Sequence, residues 1–363
     1  MLSRHDWLAR GLRLLALLAP LTGLAAAPCQ DSVPWRPVAP GVWAWMPERE
    51  AEIGPANAGH VLPTTVVVHG GHALLIDPGP SHDHGWRVKR SVRCRLGARV
   101  RWIVNTHAHA ENVMGNSAFA QEVAQGRVSI LASEATRAGM AARCPDCLDS
   151  LTRRAGAEAL RGTRIVLPTR TLREGQVLRL GPHRLRVMRV EQGHTEGDLV
   201  LWDARQRLLW AGGLVYGERL PELAQGSLDG WLAALERLAA LRPSVAVGNT
   251  VSVAAADGLP PALAATRAYL ADLRRVVLQA MDAGASAHEA GGLALPAYEN
   301  RAGYAERQGF NAQRAWRELE PEWMEKTDPP APPAASPPRG GASGPAQPVP
   351  PHPGTKPAAP ETH

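Results

Sequence analysis

The chain has 363 residues, and 45% of them are hydrophobic, which is enough to bury the core of one large domain or of two smaller ones. Its formal net charge is +6. The basic residues are scattered, as in "HGWRVKRSVRCRLGARVRW", and no basic strip carries interleaved aromatic residues. We therefore expect a solvated basic surface and no nucleic-acid partner.

Residues 1–27 have the pattern of a secretory signal peptide. Arginines precede an apolar run, residues 14–27, that closes in small residues. This run is too short for a membrane span and ends too abruptly, so we expect no membrane span in the mature chain. The pattern predicts a periplasmic or secreted protein after cleavage; the alternative is an uncleaved N-terminal anchor. The arginines are Arg4, Arg10 and Arg13.

Residues 328–363 have the composition of a disordered Pro/Ala-rich tail. They contain 13 prolines in 36 residues, and Val349 is their only branched aliphatic residue. Such a segment cannot bury enough apolar area to offset its ordering entropy. A docking role for the proline-rich pieces is the alternative to a solvated linker. One folded domain over residues 28–327 remains.

Within that domain the predicted elements alternate between strands and helices. "HVLPTTVVV" and "ALLIDPG" predict two strands, and Gly70 and Gly71 between them suit a tight hairpin turn. Helical spacing continues to about Leu96, and the strand "VRWIVNT" then leads into a loop with two histidines. A helix from about Asn116, the strand "VSILAS" and a further helical stretch follow.

The second half begins with an all-β block and ends in helices. Its predicted strands are "RIVLPTRTL", "QVLRL", "HRLRVMRV", "DLVLWDA" and "RLLWAGGLV". Helices are predicted over "SLDGWLAALERLAAL" and, from about Pro261, over "ALAATRAYLADLRRVVLQAMDAG", with the strand "SVAVGN" between them. Strands and helices mixed in two halves predict an α+β fold in which sheets are sandwiched by helices.

The chain has four cysteines, of which two lie close together in "RCPDCL". In an exported protein this spacing favours a disulfide between Cys144 and Cys147. A metal site, a redox site and free thiols are the alternatives. A redox motif of this type is expected after a strand and at a helix start, whereas this one lies inside a predicted helix.

Three histidines are candidates for a metal site. His107 and His109 follow a predicted strand directly, and His194 lies in "EQGHTEGDLVLW", on a turn between two predicted strands. Neutral imidazole is a good zinc ligand, and strand ends tolerate the open geometry that a metal needs. A pair of exposed loop histidines is the alternative for "HAH" alone.

The order of these motifs resembles the metallo-β-lactamase fold hydrolases. That family has a His-x-His-x-Asp-His loop after a strand and a later Gly-His-Thr turn, and the resemblance runs from about Trp43 to Asn249. It implies a four-layer αββα sandwich. The stretches "GGLVYGERLPELAQGSLDGWLAALERLAAL" and "NAQRAWRELE" resemble one branch, the quinoprotein relay system zinc metallohydrolases.

The resemblance implies an intact first metal site and an altered second one. His107, His109 and His194 match the ligands of the first metal. The positions of the second metal's ligands are changed, because they hold a longer carboxylate, two amides and a glycine: Glu111, Asn112, Asn249 and Gly213. A glycine offers no side-chain ligand and an amide is a poor one for zinc. We therefore expect one zinc per chain.

A single zinc with three histidine ligands has the ligand count of a catalytic site with a metal-bound water. Glu111 is the predicted general base or an additional carboxylate ligand; a supporting or solvent-facing carboxylate is the alternative. Asp77 is expected to orient the histidine loop, and Asp198 to be structural. His82 and His84 are either auxiliary ligands or ordinary polar loop residues.

These observations favour an exported single-zinc hydrolase with an unknown small-molecule substrate. The branch resemblance implies an association with a periplasmic quinoprotein dehydrogenase system. The family resemblance leaves the reaction open, since this fold hosts thiolester, lactam, phosphodiester and oxidoreductive chemistry. The competing hypothesis is a non-catalytic relative that acts as a binding or accessory partner. A two-metal β-lactamase is disfavoured, because it needs the second site.

Overall fold

The computed structural model describes Cys29, residues 33–256 and residues 258–327. Residues up to 321 belong to one compact unit, and the described part of a second unit, residues 322–327, is helical. The predicted signal peptide and the predicted tail lie outside the described residues. In the described part of the chain, no helix combines the length and the apolar character needed to cross a membrane.

One sheet has seven strands, which follow one another across the sheet in chain order. The first four pair antiparallel, and the fourth to the seventh pair parallel. Because parallel strands end at the same edge, the residues that follow β4, β5 and β6 lie near one another. The strands are β1 (Arg36–Ala39), β2 (Val42–Trp45), β3 (Thr64–His69), β4 (His72–Ile76), β5 (Arg99–Val104), β6 (Ser129–Ala132) and β7 (Arg170–Thr171).

The other sheet has six strands in the order β13-β12-β11-β10-β9-β8. Neighbours pair antiparallel except β11 and β12, which are parallel. The ends of β9, β11 and β12 therefore lie at one edge of this sheet. The strands are β8 (Val177–Leu180), β9 (His183–Gln192), β10 (Glu196–Asp203), β11 (Leu208–Trp210), β12 (Val245–Val247) and β13 (Val251–Val253).

Helices cover the outer faces of both sheets. They are α1 (His82–Arg95), α2 (Ala110–Val113), α3 (Ala120–Ala124), α4 (Glu134–Ala155), α5 (Leu228–Ala240), α6 (Pro261–Asp282) and α7 (Tyr304–Thr327). Helix α1 packs on the first sheet, where Val88 and Val92 join Ile103 and Ile130 in one apolar cluster. On the second sheet, α5 contacts β9, and α6 contacts α5 and β13.

The main core lies between the two sheets. Apolar side chains from both sheets fill it, among them Leu74, Ile76 and Val104 on one side and Leu185, Leu199 and Trp210 on the other. The indole N–H of Trp210 donates to Thr65 Oγ1 at 3.1 Å, so the one polar atom of this large ring is satisfied. The layers are thus helix, sheet, sheet and helix, which confirms the predicted α+β, four-layer αββα sandwich.

Most predicted elements are present, with differences at three places. The strand predicted over "RLLWAGGLV" is limited to Leu208–Trp210 and is followed by a 3₁₀ helix, Gly212–Leu214. The strand predicted over "RIVLPTRTL" is reduced to Arg170–Thr171, because Pro168 has no N–H to donate to a sheet and the residues before it pack as irregular chain. The helix predicted from about Asn116 begins as a 3₁₀ helix, Met114–Phe119, and continues as α3. The glycine hairpin is confirmed, with φ of 55° at Gly70 and 74° at Gly71.

The predicted disulfide between Cys144 and Cys147 is wrong. The structure pairs Cys29 with Cys94, and leaves the other two as free thiols. Cys144 and Cys147 lie three residues apart in the continuous helix α4. Helical residues at this spacing have Cβ atoms about 5–6 Å apart, whereas a disulfide needs about 3.5–4.5 Å. Burial raises the pKa of Cys144 to about 12, so this thiol stays protonated.

Candidate metal centre

The three candidate histidines meet where the edges of the two sheets adjoin. His107 and His109 follow β5, and His194 lies in the turn between β9 and β10. The backbone N–H of Leu199 donates to the carbonyl of Thr106 at 2.7 Å, which ties the two edges together. The convergence therefore follows from strand direction, since every segment that carries a candidate ligand leaves its sheet at this edge.

The donor nitrogens of the tripod fit a metal ion. His194 Nε2 lies 3.0 Å from His109 Nδ1, and one ligand atom from each histidine lies within 4.8 Å of the others. Two donors bound to one tetrahedral zinc at about 2.1 Å are about 3.4 Å apart, so little rearrangement is needed. His107 and His194 are each 1% exposed, whereas the side chain of His109 is 12% exposed and marks the open side.

The outer nitrogens of two histidines are held by neighbours. His194 Nδ1 donates to the carbonyl of Glu222 at 3.0 Å. The hydroxyl of Thr106 donates to Asp77 Oδ2 at 2.6 Å, so its oxygen is free to accept from His107 Nδ1, which lies 2.9 Å away. Both rings consequently present Nε2 to the centre, in the tautomer that binds metal.

The imidazoles of His107 and His194 are held neutral. Burial lowers the pKa of each well below its usual value, and the neighbouring His109 lowers both further. For His194 the positive charges of Arg219 and Arg307 act in the same direction. Neutral imidazole is the form that binds a metal, so these two rings are ready to bind without losing protons first.

Two buried carboxylates support the tripod loops. Asp77 accepts from the Thr106 N–H at 2.9 Å as well as from its hydroxyl, and burial raises the pKa of Asp77 to about 6 against these hydrogen bonds. Asp198 accepts from the Thr195 N–H and hydroxyl, and burial raises its pKa to about 7. These hydrogen bonds agree with the predictions that Asp77 orients the histidine loop and that Asp198 is structural.

Three of the four altered positions lie beside the tripod or the carboxylate that supports it. Glu111 Oε1 lies 4.0 Å from His109 Nδ1, with its side chain 16% exposed on the open side of the tripod. The side chain of Asn112 bonds to Asp77, while its Oδ1 is buried and has no hydrogen-bond partner among the described residues. A Cβ on Gly213 would lie 2.1 Å from His194 Cδ2, so the His194 ring occupies the space that a side chain would need.

A charge network that the sequence analysis missed lies near the tripod, and in it two buried arginines meet two partly exposed glutamates. Arg307 bonds to both carboxylate oxygens of Glu52, and its Nε lies 3.4 Å from Glu222 Oε2. Arg219 Nε is 3.4 Å from Glu52 Oε1. Burial alone would raise the pKa of Glu222, but the charges of His109, Arg307 and Arg219 keep it below its usual value. In the sequence, the only local sign of this network is the segment "VYGERLPELAQG", in which charged residues stand among apolar ones.

Helix α7 braces the segment that carries Glu222. Asn311 Nδ2 donates to the carbonyl of Pro221 at 2.7 Å, and its Oδ1 accepts from the N–H of Leu223 at 3.0 Å. Glu318 accepts from the Ser227 hydroxyl at 2.7 Å. The carbonyl of Glu222 accepts from His194. By fixing the segment around Glu222, the contacts of α7 therefore help to orient this tripod histidine.

The structure places His82 and His84 outside the tripod, because neither belongs to the group of candidate ligands among the described residues. The ring of His84 stacks on Trp45 at 4.1 Å, and its Nε2 lies 2.8 Å from Thr64 Oγ1. His60 lies edge-on to His84 at 4.6 Å. This second group of rings packs beneath the loop that follows β4, so its role is structural.

A centre of three histidines at the strand ends of an αββα sandwich defines a class of metal-dependent hydrolase folds. The sequence pattern of the Metallo-beta-lactamase superfamily matches residues 62–250, more than half of the chain. The chain belongs to this superfamily. Its members typically bind metal, and the tripod lies within the matched region.

Individual proteins match the chain at low sequence identity. The chain is 27% identical over 185 residues to the "Acyl-coenzyme A thioesterase MBLAC2" of Bos taurus, a match that covers 48% of this chain and 62% of that relative. The chain therefore matches less than two thirds of the relative's length. A metallo-beta-lactamase from Pontibacter korlensis has a TM-score of 0.49 and 21% identity, covering 66% of this chain and 98% of that one. A metallo-beta-lactamase from Hirschia baltica has a TM-score of 0.49 and 16% identity, over 66% and 97%.

Proposed function

We propose that the protein is an exported hydrolase that uses one zinc ion held by His107, His109 and His194. The observation that carries this proposal is the convergence of the three donor nitrogens, with the outer nitrogens of two rings already held by Thr106 and Glu222. When bound, zinc supplies Lewis acidity and activates water for attack near neutral pH.

Glu111 is the proposed general base. Its carboxylate is close to the tripod, 4.0 Å from His109 Nδ1, and lies on the side that solvent reaches. A base must come within hydrogen-bond reach of the water it deprotonates, and a distance of this size allows that with a small side-chain rotation. The same carboxylate can alternatively serve as a further ligand, which would leave the proton to another group.

Thioesters are the first substrate class to test. The relative from Bos taurus is named an acyl-coenzyme A thioesterase, and this chain shares 27% identity with it over 185 residues. The side chains of His109 and Glu111 are 12% and 16% exposed, so the tripod meets solvent on that side. Lactams and phosphodiesters are the next classes, because the fold accommodates them.

Export and a periplasmic quinoprotein dehydrogenase as partner are parts of the same proposal. The sequence of residues 1–27 supports export, and so does the disulfide between Cys29 and Cys94, because disulfides persist in oxidising compartments. The partner rests on the resemblance of the sequence to the quinoprotein relay branch.

A non-catalytic binding or accessory role is the second candidate function. It is favoured by the altered positions around the tripod, above all by Gly213 and Asn249, which offer no strong zinc ligand. In that case the metal would stabilise the strand ends and the protein would turn nothing over.

A hydrolase screen with matched variants separates the two functions. The zinc-loaded protein is assayed with acyl thioesters, esters, lactams and phosphodiesters, beside His107→Ala, Glu111→Gln and the exposed control Glu158→Gln. We expect Glu111→Gln to keep its zinc but to lose a factor on the order of 10² to 10⁴ in rate. His107→Ala should lose both zinc and activity, and the control should match the parent. If the parent hydrolyses nothing in the screen, the hydrolase proposal fails and the non-catalytic role is the one that remains.

A further inference from the structure

The region where the family places a second metal is closed by this chain's own side chains. On one side Gly213 faces the ring of His194, and any Cβ there would lie 2.1 Å from His194 Cδ2. A bridging carboxylate at this position is therefore incompatible with the observed ring. The inference drawn from this region rests on the proposed single-zinc function and concerns which group occupies the place of the second metal ion.

On the other side both polar atoms of the Asn249 side chain have a hydrogen-bond partner. Its Oδ1 accepts from Arg219 Nη1 at 3.1 Å, and its Nδ2 donates to the carbonyl of Val215 at 3.4 Å. Asn249 is 2% exposed. The only oxygen that this residue could offer to a metal is thus directed at a guanidinium instead.

Arg219 is fixed in place. It is 2% exposed, its Nε lies 3.4 Å from Glu52 Oε1, and its backbone N–H donates to Glu50 Oε2 at 3.2 Å. A guanidinium does not deprotonate in a protein, so its positive charge is permanent. Glu52 links Arg219 to Arg307, and Arg307 contacts Glu222, whose backbone carbonyl accepts from His194.

We propose that Arg219 is an internal cation that takes the place of the second metal ion and limits the site to one metal. A divalent ion close to a buried guanidinium is repelled in a medium of low dielectric, and Asn249 offers it no compensating anion. The carboxylate of Glu52 is already shared between Arg219 and Arg307. The positive charge that a second metal would supply is therefore built into the chain and cannot be removed by a chelator.

The test is a cobalt titration followed by visible absorption, with elemental analysis for zinc. The parent and Arg219→Lys, which keeps the charge, should bind one equivalent. The double variant Arg219→Gln, Asn249→His removes the charge and restores an imidazole; it should bind a second equivalent at least tenfold more tightly than the parent does. Asn249→His alone retains Arg219 and should stay at one.

The outcomes separate this inference from the proposed function. A double variant that stays at one equivalent, with a folded circular dichroism spectrum and an intact first site, overturns the role of Arg219 and leaves the single-zinc hydrolase standing. A parent that takes up two equivalents tightly overturns both the role of Arg219 and the single zinc. If the double variant does not fold, a second tight equivalent in Asn249→His alone still refutes the inference.

Discussion

Replacing Thr106 by valine tests how the tripod is held, because the two side chains have nearly the same shape. The hydroxyl of Thr106 links Asp77 Oδ2 at 2.6 Å to His107 Nδ1 at 2.9 Å. Thr106→Val leaves the His107 N–H buried without an acceptor, which costs about 1–3 kcal/mol, and removes a hydrogen bond to a carboxylate worth about 1.5–3 kcal/mol. We expect the metal-free protein to lose roughly 2.5–6 kcal/mol of unfolding free energy.

Metal affinity should fall as well, by about 10- to 100-fold, which is the usual effect of losing a residue that orients a metal ligand. The assay is competition for zinc with a chromophoric chelator, beside urea unfolding of the metal-free protein. Thr65→Val is the matched control, since it also removes a buried hydroxyl, the one that accepts from Trp210 Nε1, away from the tripod. If the Thr106→Val protein holds zinc as tightly as Thr65→Val does, the proposal that Thr106 fixes the tautomer of His107 is refuted.

Three further outcomes are expected. Burial lowers the pKa of His60 from 6.5 to about 4. The unfolded chain therefore takes up the proton first, and stability is lost as pH falls from about 6.5 toward 4. In His60→Gln the loss of unfolding free energy between pH 7 and pH 5, measured by urea unfolding, should shrink by about 2 kcal/mol. Without reduction, an alkylating reagent should label the half-buried Cys147 in the folded protein and Cys144 only once the chain is unfolded. The Cys29–Cys94 pair should stay unlabelled, and mass spectrometry of the labelled peptides checks all three outcomes. Asn311→Leu should cost about 2–4 kcal/mol in urea unfolding and weaken zinc binding, because it leaves two backbone groups beside Glu222 unpaired.

The tripod was predictable because its signals are local. His107, His109 and His194 lie in short motifs at predicted strand ends, and strand direction brings such ends to one edge. Asp77 was predictable for the same reason, as the residue that follows an apolar strand. The alternation of strands and helices was sufficient to predict sheets sandwiched by helices, and the resemblance to the metallo-β-lactamase fold supplied the four-layer order.

The charge network and the disulfide were not predictable, because their partners are far apart in the chain. Arg307 meets Glu52 across 255 positions and Glu222 across 85. Cys29 pairs with Cys94 across 65 positions, whereas the sequence favoured two cysteines that are close in the chain. A helix holds such neighbours too far apart to bond, and sequence spacing alone does not carry that information.

The bracing of the Glu222 segment by α7 has a consequence for the order in which the centre is completed. Synthesis runs from the N-terminus, so all three histidines exist before Asn311 and Glu318 are made. A nascent chain that stops short of α7 has its ligands but lacks the side chains that fix Pro221 and Leu223 on either side of the carbonyl that orients His194. We therefore expect fragments that end before α7 to hold a metal at the tripod less tightly than the full chain does.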